Sequence, residues 1–270
     1  MKAYQFGVLG AGNMGRAIVD GAVRAGMFPA KSALLFNRSA DKRAENQKMG
    51  YAVTEDYTKV YTGCDTVVLG VKPQNFGEVL PRLAACALSD KPLLISIAAG
   101  VTFSKIEQAL GADTPIIRVM PNTPLLLGEG ASALVKNAAA SAGQLDAAVR
   151  LFSSMGAAAV FEKEDMLNEI IPYNGSLPAF VYQFIEAFAK SAAQHGISRE
   201  DALPLICKTV IGSAKMVLQG DKTPAELIGA VCSPGGTTIE GVRVFDSRGL
   251  DEIVAEASDK AIARAYELGK

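Results

Sequence analysis

The chain has 270 residues, of which 49% are hydrophobic and 20% charged, and its formal net charge is −1. That length holds one large domain or two ordinary ones, and a balanced charge without a basic block disfavours nucleic acid or an anionic membrane surface as a partner. Four scattered cysteines and one histidine argue against a metal site or a disulfide framework and indicate a reducing, cytoplasmic location. We expect no signal peptide and no membrane span, because the chain enters a strand at once and its uncharged runs are short or interrupted.

The first predicted element is a buried strand, Tyr4 to Leu9, which leads into a glycine pattern, Gly10-Ala11-Gly12-Asn13-Met14-Gly15. Apolar residues then recur at helical spacing up to Gly26, and a second strand is predicted over residues 33–36. Between a strand and a helix, this pattern indicates a dinucleotide site: the first glycine makes the turn, the second admits the pyrophosphate and the third lets helix and strand pack. We therefore predict cofactor contacts from Leu9, Gly10, Ala11, Gly12, Asn13 and Met14.

The residues after the second strand bear on the choice of nicotinamide cofactor. An NAD site carries an acid there that holds the ribose 2′-hydroxyl, whereas this chain has Asn37, Arg38 and Ser39. A guanidinium and a hydroxyl suit a 2′-phosphate, which an acid would repel. We predict that these three residues bind NADP(H), with NAD(H) as the second choice; Arg38 as a solvated surface charge is the alternative.

Three further strands are predicted over residues 66–71, 93–97 and 116–120. In a doubly wound sheet their carboxyl ends meet at the edge where ligands bind. We expect the cofactor to be lined there by Val71, Lys72, Pro73, Ala98 and Gly100. Lys72 is also a candidate acid or base, but we favour backbone contacts because Pro73 holds its turn rigid. Late strands are predicted over residues 131–135 and 157–161, with a helix between them over residues 141–155.

After Phe161 the strand signal stops, and long helices are predicted over residues 178–195, 199–219 and 249–268. The first is apolar around most of its circumference and should be buried, so we expect a second copy of the chain to cover it. The sequence thus predicts an α/β protein in which a Rossmann-type doubly wound domain, residues 1–163, precedes an all-helical dimerisation and substrate domain, residues 164–270. His195 lies before Gly196 at the end of a helix and is interpreted as structural.

A second glycine motif interrupts the helical half: Val231-Cys232-Ser233-Pro234-Gly235-Gly236-Thr237-Thr238. Proline and the glycine pair break the helix, and helical spacing resumes at Ile239. A turn that feeds a helix N-terminus offers free N–H groups, hydroxyls and a positive dipole end, which suit a carboxylate. An ordinary loop with threonine caps is the alternative. Cys232 is interpreted as a packing residue, since no activating base is near it in sequence.

The two glycine motifs together limit which hydride-transfer reactions this chain can catalyse. A nicotinamide site implies hydride transfer, and reducing a ketone or oxidising an alcohol needs a positioned acid or base, for which Lys72 is the one good candidate. Reduction of a C=N bond needs mainly positioning, a carboxylate clamp and a hydrogen-bond partner for nitrogen. The turn from Ser233 to Thr238 can supply the last two.

The chain resembles the pyrroline-5-carboxylate reductase family almost end to end. The most specific match is residues 231–238 followed by Ile239 and Gly241, and further matches are residues 71–74, 96–102 and 120–124. The resemblance implies NADPH-dependent reduction of the C=N bond of 1-pyrroline-5-carboxylate, a cyclic imino acid, to L-proline, the last step of proline biosynthesis. It also implies an intertwined homodimer built by the C-terminal helices, with a decamer of five dimers as the larger assembly, and an active site between one subunit's nucleotide domain and its partner's helices.

The resemblance also implies roles for single residues. Ser233, Gly236 and Thr237 would hold the substrate carboxylate through backbone and hydroxyl groups. Thr238 would bond to the ring nitrogen and is the catalytic candidate. Glu164 matches a family position that lines the substrate site.

The chain departs from the family beside the expected pocket. Where the family usually reads Ser-Gly-Ser-Gly-Pro-Ala-Tyr, residues 174–180 place Asn174 for a hydroxyl, Leu177 for a glycine and Phe180 for a phenol. Tyr57 and Ala230 stand where relatives often have a polar group near the cofactor. Two alternatives follow: a related reductase of another cyclic imine or a β-hydroxy acid, and a non-catalytic NADPH-binding protein.

Overall fold

The computed structural model describes residues 2–269. Within them one sheet is built from eight strands: β1 (Tyr4–Leu9), β2 (Ala33–Phe36), β3 (Ala52–Thr54), β4 (Cys64–Leu69), β5 (Leu93–Ser96), β6 (Ile116–Met120), β7 (Gly130–Lys136) and β8 (Gly156–Val160). The strand order is β3-β2-β1-β4-β5-β6-β7-β8. The first six strands are parallel, as in a doubly wound dinucleotide fold, and the order reverses at β1. The crevice between β1 and β4 is therefore the expected ligand position.

Strands β7 and β8 run antiparallel to the first six strands. β7 is antiparallel to β6, and β8 is parallel to β7. Only a short 3₁₀ turn, Thr123–Leu127, separates β6 from β7, and a parallel return would need a longer crossover. Between β7 and β8 a helix supplies that crossover.

Twelve α-helices accompany these strands in the described residues. They are α1 (Asn13–Arg24), α2 (Ala40–Lys48), α3 (Tyr57–Gly63), α4 (Phe76–Ala84), α5 (Phe103–Leu110), α6 (Ala142–Ser153), α7 (Met166–Glu169), α8 (Leu177–Gln194), α9 (Arg199–Gln219), α10 (Pro224–Val231), α11 (Thr237–Ser247) and α12 (Leu250–Leu268).

Helices cover both faces of the sheet, because side chains alternate along each buried strand. Val8 and Val68 face one core, to which α1 and α6 contribute Ile18 and Phe152. The neighbouring residues of the same strands face a second core, which is completed by apolar side chains of α3, α4 and α5. The doubly wound architecture predicted from the sequence is confirmed.

Most predicted boundaries agree with the structure within two residues. The strand predicted over residues 66–71 is displaced: β4 starts at Cys64 and ends at Leu69. It ends there because Gly70 donates from its backbone N to the Leu9 carbonyl oxygen at 2.8 Å, where the backbones of Gly10 and Gly70 meet. The three-residue β3 was not predicted; it is too short to show a period.

The chain divides into two compact units. One holds the sheet and runs to Ser176, and the end of α12, from Ala261, belongs to it; the other spans Leu177–Lys260. The second unit exposes many large apolar side chains, among them Tyr182, Leu205 and Leu218, the last 82% exposed. In the described part of the chain, no helix is long and apolar enough to span a membrane.

Candidate active site

The glycine turn between β1 and α1 has the geometry of a phosphate cradle. Gly10 has φ +92°, and a Cβ atom there would lie 2.9 Å from the carbonyl carbon and oxygen of Gly70. A Cβ atom on Gly15 would lie 2.7 Å from the Gly10 carbonyl oxygen, so α1 packs tightly on the turn. At Gly12, in contrast, a Cβ atom would meet nothing within 4 Å. The open space is at the glycine that admits a pyrophosphate.

The helices that begin at the two glycine motifs share a further property. Five other helices start with a Ser or Thr side chain that accepts a backbone N–H, at Ser39, Thr102, Ser141, Ser198 and Thr223. The N-caps of α1 and α11 are Gly12 and Gly236, and neither end has a side-chain cap in the described residues. Their first N–H groups are thus left for another partner, and the helix dipole favours an anion.

A buried chain of polar side chains supports the first cradle from behind. The amide of Asn37 donates to the Ala11 carbonyl oxygen at 2.9 Å and accepts from Asn46 at 2.8 Å. Asn46 in turn accepts from Arg16, which also pairs with Asp20. Asn37 is 6% exposed. Its side chain therefore holds the glycine turn in place, and any contact with the cofactor falls to its backbone.

Arg38 and Ser39 are exposed at the end of β2, as a 2′-phosphate site requires. Arg38 Nη2 lies 3.0 Å from Glu78 Oε2 on α4. The Ser39 hydroxyl accepts the Lys42 backbone N–H as the cap of α2 and keeps its own proton to donate. The pairing with Glu78 could not be predicted locally, since 40 positions separate the two residues.

We expect Arg38→Ala to raise the dissociation constant of NADPH by about 10- to 10²-fold and to leave that of NADH unchanged, because a charge-assisted bond to the 2′-phosphate is lost. Folding should not suffer, since exposed ion pairs contribute little. The matched variant Glu78→Gln releases Arg38 and should bind NADPH at least as tightly as the wild type. Fluorescence titration measures both. Equal NADPH affinity in Arg38→Ala and the wild type would leave Arg38 a surface charge.

The other predicted cofactor residues follow strands β4 and β5. Lys72 and Pro73 are exposed and Val71 is half-buried. Ala98 is 7% exposed and belongs to the core, so only its backbone is available to a ligand. Gly100 has φ +73°, and a Cβ atom there would lie 2.7 Å from the Leu268 carbonyl oxygen. Packing against the end of α12 is thus one reason for glycine at position 100.

Glu164 makes two short contacts within the first unit. Its Oε1 atom lies 2.6 Å from Arg118 Nη1 and accepts the Phe103 backbone N–H at 2.6 Å. Arg118 is 4% exposed. Sequence reasoning missed Arg118, although a lone charge inside the apolar run of residues 116–120 was a usable signal, since a buried guanidinium needs a partner.

Asn174 fastens the segment before α8 to the end of β6. Its Nδ2 atom donates to the Met120 carbonyl oxygen at 2.8 Å, and Asn122 donates to the Asn174 carbonyl oxygen at 3.2 Å. The Asn174 Oδ1 atom is buried without a hydrogen-bond partner among the described residues. The Asn174 side chain, which departs from the family pattern, therefore holds the chain in place through Nδ2 and leaves Oδ1 as a free hydrogen-bond acceptor.

The second glycine motif forms an exposed turn between α10 and α11. The Gly236 N–H donates to the Ser233 carbonyl oxygen at 3.0 Å, and Gly235 has φ +70°, so Pro234 and Gly235 occupy the centre of a turn that requires glycine. A Cβ atom on Gly236 would lie 2.5 Å from Ser233 Oγ. The side chains of Ser233, Thr237 and Thr238 are exposed. The turn thus brings together the three hydroxyls and the uncapped helix end.

A largely apolar cavity of about 900 Å³ adjoins this turn within the helical unit. Cys232 and Ala230 line it together with Met216, Val231 and Thr238. Cys232 is half-buried, in keeping with a packing role. The remaining departures are Leu177, which is 42% exposed at the start of α8, Phe180, which is half-buried in the same helix, and Tyr57, which is buried beside Phe36.

The two motifs fit an anionic dinucleotide and a small carboxylate. Gly12 leaves room at one uncapped helix end, and the turn at residues 233–238 gives the other helix end hydroxyls instead of charged side chains. Bound NADP(H) supplies a hydride; the residues described here supply orientation and hydrogen bonds.

Burial raises the pKa of the Cys64 thiol to about 12, so that thiol is not a nucleophile at neutral pH.

Two family models match the chain. A model described as pyrroline-5-carboxylate reductase dimerisation matches residues 164–268. A model described as NADP oxidoreductase, coenzyme F420-dependent, matches residues 5–100.

Relatives match over the full length. The pyrroline-5-carboxylate reductase of Escherichia coli K12 is 37% identical over 267 residues, 98% of either chain, and that of Methanosarcina acetivorans is 36% identical over 271 residues, 100% of either chain. A solved pyrroline-5-carboxylate reductase from Coxiella burnetii superposes with a TM-score of 0.93 at 35% identity over 99% of both chains. A Plasmodium falciparum pyrroline carboxylate reductase, solved with NADP bound, superposes with a TM-score of 0.88 at 29% identity over 100% of both chains.

Proposed function

Because the chain belongs to the pyrroline-5-carboxylate reductase family, we propose how its own residues carry out that family's reaction. The protein is an NADP(H)-dependent oxidoreductase that reduces the C=N bond of 1-pyrroline-5-carboxylate to L-proline in proline biosynthesis. The observation that carries the assignment of residues is the pair of uncapped, glycine-started helices, α1 and α11. One suits a pyrophosphate and the other a carboxylate.

The cofactor half of the proposal rests on the sheet edge. The backbone from Leu9 to Met14 holds the pyrophosphate, with Gly12 giving the clearance. Arg38 and Ser39 hold the 2′-phosphate, and Asn37 contributes by fixing the glycine turn. The nicotinamide ribose and ring lie against the segments that follow β4 and β5, through backbone groups of Val71, Lys72, Pro73, Ala98 and Gly100.

The substrate half rests on the turn at residues 233–238. The N–H group of Thr237 and the hydroxyls of Ser233 and Thr237 hold the imino-acid carboxylate at the positive end of α11. The N–H of Gly236 is used within the turn, and Gly236 contributes by leaving room for the Ser233 hydroxyl, which a Cβ atom would meet at 2.5 Å. The Thr238 hydroxyl accepts a hydrogen bond from the ring nitrogen, which arrives protonated. Held at both ends, the ring presents its C=N carbon in one orientation.

No side chain of this chain has to deliver a proton in this scheme. A protonated C=N nitrogen already carries its proton, and the product amine keeps it at neutral pH. This explains why the motifs offer hydroxyls and N–H groups instead of a histidine or a paired acid. Lys72 therefore has no acid–base role in this scheme and belongs to the segment after β4 that lines the cofactor.

Substrate profiling tests the proposal, since residues 174–180 depart from the family beside the expected pocket. We expect the highest kcat/KM with 1-pyrroline-5-carboxylate, followed over the loss of NADPH absorbance, and lower values with a six-membered cyclic imino acid or a β-hydroxy acid run with NADP⁺. Leu177→Gly is the matched variant that restores the family residue. A wild type that prefers another substrate, with 1-pyrroline-5-carboxylate turned over only after Leu177→Gly, would contradict the assignment.

We also propose that the helical half, residues 164–270, is the dimerisation and substrate domain and that residues 1–163 form the cofactor domain. The match of the dimerisation model to residues 164–268 supports this division. The family forms homo-oligomers, and the exposed apolar side chains of α8, α9 and α10 favour a homodimer through these helices. Sedimentation velocity separates a dimer from the decamer of five dimers.

The same reasoning extends to location. All four cysteines are free in the described chain, which supports a reducing, cytoplasmic compartment. Fractionation of cells that express the protein tests this: recovery with periplasmic or secreted markers would contradict it.

A further inference from the structure

Arg118 is a buried charge that the proposed chemistry does not use. It lies in β6 between Ile117 and Val119 and is the one charged residue among the buried polar residues of the described chain. A guanidinium in such a place is costly unless it is paired and hydrogen-bonded. Its presence therefore calls for an explanation in terms of what it holds.

One carboxylate oxygen joins three parts of the chain at this point. Glu164 Oε1 lies 2.6 Å from Arg118 Nη1 and accepts the N–H of Phe103, the first residue of α5, at 2.6 Å. These contacts span 46 and 61 positions of sequence. A carboxylate at a helix N-terminus also interacts favourably with the helix dipole.

The segment that Glu164 fixes, residues 97–102, contains Ala98 and Gly100, which are proposed to line the cofactor. Residues 97–102 leave the end of β5 and enter α5 at Phe103, so the Glu164 contact fixes the far end of that turn. Its near end is held by the sheet itself, because Ser96, the last residue of β5, pairs in register with Arg118 of β6 through the backbone. The Ser96 hydroxyl is buried and has no hydrogen-bond partner among the described residues, so it does not help to fix this end of the turn.

We propose that Glu164 is a positioning residue: with Arg118 it sets the turn of residues 97–102 and acts on cofactor binding through that turn. This rests on the proposed function only in taking that turn as part of the NADP(H) edge. It adds a second role to the one that the family resemblance implies for Glu164: besides lining the substrate site, the carboxylate holds the segment that faces the nicotinamide.

The test compares Glu164→Gln, Arg118→Met and the double variant that carries both. We expect each to raise the dissociation constant of NADPH, measured by fluorescence titration, by about tenfold. In Arg118→Met, KM for the imino acid at saturating NADPH should stay within about twofold. The double variant should bind NADPH no worse than the weaker single variant, because both substitutions break the same ion pair. Asp113→Asn, which removes the exposed pair with Lys91, is the control and should change none of these.

Two results would overturn the proposal. An increase in KM for the imino acid in Glu164→Gln, with NADPH binding unchanged, would show that the carboxylate meets the substrate directly. Additive effects of the two substitutions on NADPH binding would show that they act separately. If a single variant leaves a buried unpaired charge and does not fold, the double variant, which carries no buried charge, decides the question. Because NADPH binding is read without turnover, a wild type that binds NADPH but reduces no imino acid would refute the proposed function alone.

Discussion

Replacing Thr238 with valine should lower kcat/KM for 1-pyrroline-5-carboxylate by about 10- to 10²-fold, since a hydrogen bond to a charged nitrogen contributes roughly 1.5–3 kcal/mol. Valine keeps the shape of threonine and removes only the hydroxyl. Thr238 is exposed near the start of α11, so its loss should leave the folded chain unchanged. Steady-state kinetics at saturating NADPH measure the effect.

The matched control for this experiment is Thr238→Ser, which keeps the hydroxyl and drops the methyl group. It should retain most of the activity, and both variants should bind NADPH as the wild type does. Unchanged kcat/KM in Thr238→Val would mean that the ring nitrogen is held elsewhere. A similar loss in both variants would assign the effect to packing against the cavity that Thr238 lines.

Replacing Gly10 with alanine should have the largest effect on the cofactor half, because two penalties coincide there. Its φ of +92° is strained for alanine, and the new Cβ atom would lie 2.9 Å from backbone atoms of Gly70 and Val71, which cannot move aside like a side chain. Strain contributes roughly 1–2 kcal/mol and overpacking roughly 1–3 kcal/mol. We expect the melting temperature to fall by about 5–15 °C and NADPH binding to be lost.

Two glycines of the same region separate these causes. Gly26→Ala introduces strain alone, since φ is +70° and a Cβ atom there has open space; it should lower the melting temperature by less and leave NADPH binding intact. Gly12→Ala introduces neither strain nor a clash within the protein, so it should melt as the wild type does and bind NADPH about 10- to 10²-fold more weakly. Tight NADPH binding by Gly12→Ala would refute the assignment of the pyrophosphate to this turn.

The local part of this account could be predicted from the sequence. The glycine turn, its strand and its helix occupy contiguous residues, and each glycine has a separate mechanical reason that the structure shows at Gly10, Gly12 and Gly15. A turn at the second glycine motif was likewise predictable, because proline followed by glycine selects one kind of turn. The sequence placed it at residues 235–238, whereas the structure has it at residues 233–236 and α11 begins at Thr237, two residues before the predicted return of helical spacing at Ile239.

What could not be predicted involves residues that are distant in sequence. The Arg38–Glu78 pair spans 40 positions and the Arg118–Glu164 pair 46, and no local pattern identifies the partner in either pair. Asn37 was predicted to contact the cofactor as one of the three residues after the second strand, and its side chain turns inward to the Ala11 carbonyl oxygen. The burial of a polar side chain depends on what packs over it, which spacing does not reveal.

The reversal at β7 shows the same limit in the fold. The sequence predicts a strand over residues 131–135, and the structure has β7 at Gly130–Lys136. Its direction depends on the connection from β6, which is a single 3₁₀ turn instead of a full crossover helix. Strand signals alone do not distinguish the two directions, whereas the length of the connection does.

The most direct test of the central claim is to follow the hydride. Wild-type protein is supplied with 1-pyrroline-5-carboxylate and NADPH that carries deuterium at the transferable position, and the product is analysed by mass spectrometry and chiral chromatography. The account predicts L-proline with one deuterium, on the ring carbon that carried the double bond. NADPH binding without deuterated proline, or deuterium delivered only to a different imine or acid, would contradict it.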